Sequence, residues 1–201
     1  MTATDDHSGN ILEQLATEAR ACRVCEAFLP HGCRPVLRVS TTARLLIASQ
    51  APGTRVHASG IPWDDASGKR LRQWLGMKPE VFYDTARVAI LPMGLCFPGT
   101  NPKGGDFPPR PECAPLWQPR IRGAMPNIGL TLLIGSYAQK WYLGEARMAT
   151  MTETVANWRQ YAPDFIPLPH PSWRNTGWIR RNPWFEDELV PYLRQRTAEF
   201  L

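Results

Sequence analysis

The chain has 201 residues, with 23 basic against 18 acidic side chains, a formal charge of +5 and 43% hydrophobic residues, enough for one domain with a sizeable core. No apolar run approaches the roughly 18 residues of a membrane span, and the polar start MTATDDHSGN resembles neither a signal nor a transit peptide, so a cytoplasmic location is expected. The mild positive charge suits a phosphate-bearing partner without requiring one, and 8 Trp and 20 Pro at ordinary apolar content imply long ordered loops rather than disorder.

Residues 1–10 read as a loose polar tail. From Ile11 to Ala21 a helix is expected, with Ile11, Leu12, Leu15 and Ala19 along one side and Asn10 or Ser8 as cap. It ends at Cys22-Arg23-Val24-Cys25, a C-x2-C turn whose two sulfurs can face one metal; two unrelated cysteines at a helix end would read the same way. In a reducing compartment the five cysteines are expected as metal ligands or buried thiols rather than disulfides, with Cys33 incidental.

Leu45 to Ala48 is a short apolar run suited to a strand buried on both faces, and it stops abruptly at Ser49-Gln50-Ala51-Pro52-Gly53. Loops at the carboxyl ends of such strands are where open α/β sheets bind ligands. After Gly60-Ile61-Pro62-Trp63 come Asp64 and Asp65, then a helix from Ser67 with Leu71, Trp74 and Leu75 on one face. This stretch offers an aromatic platform, a polar amide and two carboxylates, either of which would equally serve as a helix N-cap.

A second buried strand is expected over Arg87 to Leu91. It leads into a long loop, Pro92 to Pro115, that carries Cys96 and Cys113; a loop of this length is functional or pinned. A helix over Pro115 to Ala124 and a third strand, Leu130 to Ile134, follow. Next come a Gly135 turn with a helix through Leu143, and a short helix over Thr152 to Trp158. A fourth strand, Phe165 to Leu168, delivers Pro169 to Asn175, and a closing helix spans Pro183 to Leu193 with a kink at Pro191. Repeated strand, turn and helix units imply a parallel sheet with helices on both faces. The chain has no G-x-x-x-x-G-K-[ST] or G-x-G-x-x-G run, which argues against a common nucleotide-binding hydrolase.

Three sets of residues carry a resemblance that spans Ala21 to about Leu193. They are Gln50-Ala51-Pro52-Gly53 with Gly60-Ile61-Pro62-Trp63; His170-Pro171-Ser172-Trp173-Arg174-Asn175; and Cys22, Cys25, Cys96 and Cys113, the last two flanking sixteen residues that include Pro108-Pro109-Arg110-Pro111. In kind and order these resemble the signatures of the uracil-DNA glycosylase superfamily, most closely its iron-sulfur branches. The resemblance implies an α/β fold, a three-layer α/β/α sandwich around a central four-stranded parallel sheet, as a single domain over residues 1–201. The implied reaction is hydrolysis of the bond between uracil and deoxyribose in DNA, by a monomer, to leave an abasic site in base excision repair. Gln50, Ala51, Pro52, Gly53 and Trp63 would hold the flipped uracil, and His170 would donate a hydrogen bond to its O2. Ser172, Trp173, Arg174 and Asn175 would enter the minor groove, and Arg180 would meet phosphate. The four cysteines would hold a [4Fe-4S] cluster, with zinc or no metal as alternatives.

The chain departs from that pattern in places. Ala51 stands where the best-known enzymes place a water-polarising Asp, and Gln50 stands where iron-sulfur enzymes often place Glu. Asp64 and Asp65, before Ala66-Ser67-Gly68, are similar to an Asp that another branch uses instead, with Asp65 favoured. Pro92-Met93 replaces an Asn that reads the uracil edge, which leaves hypoxanthine and xanthine open as substrates. A catalytically weak damage-binding or redox-sensing protein on the same fold is the alternative reading.

Overall fold

A computed structural model describes residues 3–201. Four strands, β1 (Leu45–Ala48), β2 (Val88–Ile90), β3 (Leu130–Ile134) and β4 (Phe165–Leu168), form one sheet in the order β2-β1-β3-β4. Every pairing is parallel, with Leu45 opposite both Val88 and Leu130, and Leu132 opposite Ile166. Each strand falls within the apolar run expected to form it. Nothing but hydrophobic contact awaits these segments on either face, so their sequences are continuous rather than alternating. The four residues of β1 are fully buried.

Nine α-helices surround the sheet: α1 (Ala3–Arg20), α2 (Thr54–Ser59), α3 (Ala66–Leu75), α4 (Pro79–Phe82), α5 (Cys113–Gly123), α6 (Ser136–Leu143), α7 (Met151–Ala156), α8 (Thr176–Arg181) and α9 (Val190–Ala198) among the described residues. On one face Leu45, Ile47, Leu132 and Ile166 pack with Leu71 and Trp74 of α3 and Leu193 of α9. On the other, Leu46 and Ala89 pack with Leu12 and Ala19 of α1 and with Trp117 and Ile121 of α5. Alternate residues of β1 thus serve opposite layers, as the two-residue period of a strand demands.

Two expectations are corrected. Residues 3–10 are not a loose tail but the first turns of α1, while residues 1 and 2 lie outside the described residues. Once Ile11 to Arg20 has paid for nucleation, extending the ladder toward the N-terminus adds one hydrogen bond per residue fixed. The closing helix also differs from expectation: a π-type turn over Phe185–Leu189 runs into α9 with helical backbone angles at Leu189 and Val190, and Pro191 follows directly. Pro191 has no N–H to donate, and it sits where the hydrogen-bond ladder has already departed from the α pattern.

Two buried glutamines, neither of which stood out in the sequence, fix the strand ends that carry the loops. Gln118 of α5 donates through Nε2 to Pro92 O at 2.9 Å, and its Oε1 accepts from the Tyr142 hydroxyl at 3.0 Å. Gln139 of α6 donates to Leu168 O at 3.0 Å, two residues before His170, while its own Oε1 has no partner. Gln118→Leu would strand the Tyr142 hydroxyl and the Pro92 carbonyl together. It is expected to lower the free energy of unfolding in urea by about 1–3 kcal/mol. Gln139→Leu, which also removes an unsatisfied oxygen, should cost less.

Candidate active site

The loops that follow β1, β2 and β4 meet at the carboxyl edge of the sheet around a cavity of about 440 Å³. From the first come Gln50, Ala51, Pro52 and Gly53, with Trp63 and Asp65 beyond α2. From the second come Pro92 and Asp106, and from the fourth His170, Ser172, Trp173, Arg174 and Asn175. Segments more than a hundred residues apart in sequence thus share one enclosure, because parallel strands must all end on the same side.

Trp63 is the only described non-glycine residue with a positive φ, at 60°, and it is 7% exposed. Its indole packs on the His170 imidazole, with centroids 5.6 Å apart and planes inclined by 30°. This is direct aromatic contact. The two rings therefore form one continuous wall of the cavity.

The two adjacent carboxylates part company here. Asp65 lines the cavity and also caps α3, its Oδ1 accepting from Gly68 N at 2.7 Å. Asp64 is not brought to the cavity. It lies near Tyr83, where burial raises the phenol's pKa and the Asp64 charge adds to the rise. The cap decides between them: N-cap geometry at Asp65 fixes that side chain at the head of the helix and turns its predecessor away.

The loop after β4 is tied internally. Asn175 Nδ2 donates to His170 O at 2.7 Å, and Arg70 of α3 donates to Ser172 O at 3.0 Å and to Thr176 Oγ1 at 3.2 Å. Burial depresses the His170 pKa, partly countered by the Asp65 charge, so the imidazole is neutral at pH 7. Trp173 stands out at 74% exposed, with the Arg174 guanidinium 5.3 Å from its ring centre. Arg180 does not join them; it lines a separate groove with Arg70, Gln73 and Arg194.

The family model described as the Uracil DNA glycosylase superfamily matches residues 38–194. The chain belongs to this superfamily. Its function is accordingly of the DNA glycosylase type, and DNA is the polymer it acts on. The matched span contains all four strands and every cavity-lining residue named above. No helix among the described residues is long and apolar enough to cross a membrane.

Cys22 and Cys25 fall outside the span that matches the superfamily. With Cys96 and Cys113 they line one small pocket, walled by Leu29, Leu95 and Trp117, and Cys33 is not among its lining residues. All five thiols are free. Leu95 N donates to Cys113 Sγ at 3.3 Å, and burial pushes the Cys96 pKa up to about 12 and that of Cys113 to about 11. Among the described residues no group of three or more His, Cys, Asp or Glu side chains is arranged to hold a metal ion.

Sequence reasoning missed Asp106, the second carboxylate on the cavity, which lies within the long loop between Cys96 and Cys113. The length of that loop was the only indication. It also missed α2, whose one turn carries no apolar periodicity.

The depressed His170 pKa has a consequence for stability. Below the ordinary imidazole value of 6.5 the unfolded chain takes up a proton that the folded protein resists, so stability is fully present above that value and falls as pH drops below it. Urea unfolding at pH 7.5 and 5.5 should show a smaller loss for His170→Gln than for the wild-type chain.

Proposed function

We propose that this protein is a monofunctional uracil-DNA glycosylase that hydrolyses the N-glycosidic bond of uracil, or of a related deaminated base, and leaves an abasic site for base excision repair. The observation that carries the reading is the meeting of the Gln50–Gly53 turn, Trp63 and His170 around one cavity large enough for a nucleobase. A glycosidic bond is out of reach inside a stacked duplex, so the nucleotide must be flipped, at a cost of roughly a few kcal/mol. Trp173, exposed at the cavity rim, is suited to fill the vacated stack, and Arg174 beside it to meet a phosphate.

As the bond lengthens, positive charge grows on the sugar and negative charge on the base. The neutral His170 imidazole, itself largely buried, donates a hydrogen bond to the base carbonyl where that negative charge collects. The free edge of Trp63 and the Gln50 amide hold the base beside it. Asp65, anchored by its cap, presents a carboxylate to the same space and favours the positive charge on the sugar.

Cys22, Cys25, Cys96 and Cys113 would hold a [4Fe-4S] cluster: the donors around this pocket are all sulfur, and its walls are apolar apart from Arg110. Four thiolates would suit zinc as well. When bound, the cluster supplies a cross-link between the end of α1, the loop after β2 and the start of α5.

A uracil-containing oligonucleotide incubated with the protein should yield alkali-labile sites. His170→Ala should slow their formation by about 10²–10³-fold, the usual cost of losing one donor to a developing anion. Tight binding with no base release would favour the damage-binding reading instead. The purified protein should also absorb visible light through thiolate-to-iron charge transfer, and Cys96→Ser should abolish it. A colourless protein with stoichiometric zinc by elemental analysis would replace the cluster with a zinc site.

A further inference from the structure

Gln50 and Ala51 leave the first turn without a carboxylate, and one oxygen of Asp65 is committed to Gly68 N. The reaction nevertheless needs a group to orient the attacking water and take its proton. The loop after β2 carries one. Between Gly99 and Phe107 the chain folds back in a tight hairpin, with Thr100 bridged to Asp106, Asn101 N donating to Gly105 O at 2.7 Å and Phe107 N to Gly99 O at 2.8 Å. Its tip runs through Gly104 and Gly105 at φ 99° and 86°, a conformation that glycine adopts without strain.

This hairpin brings Asp106 over the first turn. Asp106 Oδ2 would lie 3.4 Å from a Cβ at Gly53, so the carboxylate sits against the end of the turn whose Gln50 and Ala51 supply no acid, and lines the same cavity. The Arg174 guanidinium rests on the hairpin tip, 3.3 Å from a Cβ position at Gly105, and its charge acts on Asp106. Among the described residues no hydrogen-bond donor occupies the Asp106 carboxylate, in contrast to that of Asp65.

Resting on the glycosylase reading above, we infer that Asp106 is a catalytic residue that orients the attacking water and accepts its proton. The water oxygen bonds to C1′ as the bond from C1′ to the base nitrogen breaks. The bonding electron pair leaves with the base, whose carbonyl His170 holds, and the water proton passes to an Asp106 oxygen. Solvent then removes that proton and supplies one to the departing base, so water and nucleotide give sugar hydroxyl and free base. Asp106 stands at the cavity mouth, exposed by surface area, yet surrounding atoms crowd its carboxyl enough that desolvation raises its pKa. Arg174 opposes that rise and Asp65 adds to it. A raised value makes a carboxylate a better proton acceptor near neutral pH. Arg174 and Asp65 are the charged groups that face it.

The test is single-turnover base release by Asp106→Asn and Asp106→Ser, with equilibrium binding of the same uracil-containing oligonucleotide and thermal unfolding measured alongside. Neither side chain takes a proton from water, so release should fall by about 10²–10⁴-fold, with binding no weaker and unfolding unchanged. Release within about tenfold of the wild-type rate in both variants would overturn the role of Asp106 while leaving the glycosylase reading intact. A wild-type protein that releases no deaminated base would overturn the glycosylase reading itself.

Discussion

The backbone of Trp63 lies so close to Gly68 that a Cβ at Gly68 would fall 1.8 Å from the Trp63 carbonyl oxygen, and the geometry of the whole cavity depends on that approach. No side chain fits there. With the gap closed, the first turn of α3 rests directly on the loop before it, and Trp63 is held at φ 60°, a conformation that costs a bulky residue of order 1–3 kcal/mol. The surroundings over-determine it. Asp65 caps the helix on Gly68 N, Arg72 donates to Trp63 O at 3.4 Å, and the His170 ring packs on the indole. The strain is stored where the site needs a fixed aromatic wall, and the helix cap that stores it also aims the Asp65 carboxylate.

The sheet supplies the remaining order. With β1 and β3 in the middle, the turn after β1 and the loop after β4 come from opposite sides of β3 and can close on one another only beyond the carboxyl ends of the strands. Gln118 and Gln139 act on that edge from the helix layers, each using a buried amide to hold a carbonyl at or just past a strand end, Pro92 O beyond β2 and Leu168 O at the end of β4, the latter shared with Gly135 N. A loop after a strand is only as fixed as the residues that lead into it. Here the residue that ends β4 and one just past β2 are each held by a side chain reaching in from a helix.

Much of this could be read from the sequence, for a physical reason. The four strands are apolar runs bounded by Gly, Pro or charge, and a strand buried on both faces has no other way to be written. Trp63 and His170 were singled out by the resemblance, and the structure brings both to the cavity. What escaped depends on three-dimensional detail. The sequence favours Asp65 over Asp64 but cannot separate their roles until the cap does, and Arg180 looks like an extension of the Arg174 loop until α8 carries it into another groove. Asp106 is set by a hairpin whose two glycines conform to the guanidinium of a residue nearly seventy positions later, a relation that no local pattern contains. The N-terminal turns of α1 have a polar composition that fits coil equally well, and only continuity with the helix behind them decides.

On the proposed reading, the charges on this cavity are to be weighed against the charge of the reacting nucleotide. Two carboxylates, Asp65 and Asp106, face a space meant for a polyanion, and in the ground state they would repel the flanking phosphates. The chain as a whole carries +5, and Arg174 stands at the rim, so the approach to the cavity is not governed by the carboxylates alone. In the proposed reaction the balance reverses once the glycosidic bond stretches: the sugar would become cationic, and the same carboxylates would attract it. The negative charge would move to the base, toward the neutral His170. A cationic imidazole would already bind the carbonyl of the intact nucleotide strongly, whereas a neutral donor gains most as charge arrives. In that reading, carboxylates toward the sugar and a neutral N–H toward the base would bind the transition state better than the substrate, and that difference is the part of binding that accelerates a reaction.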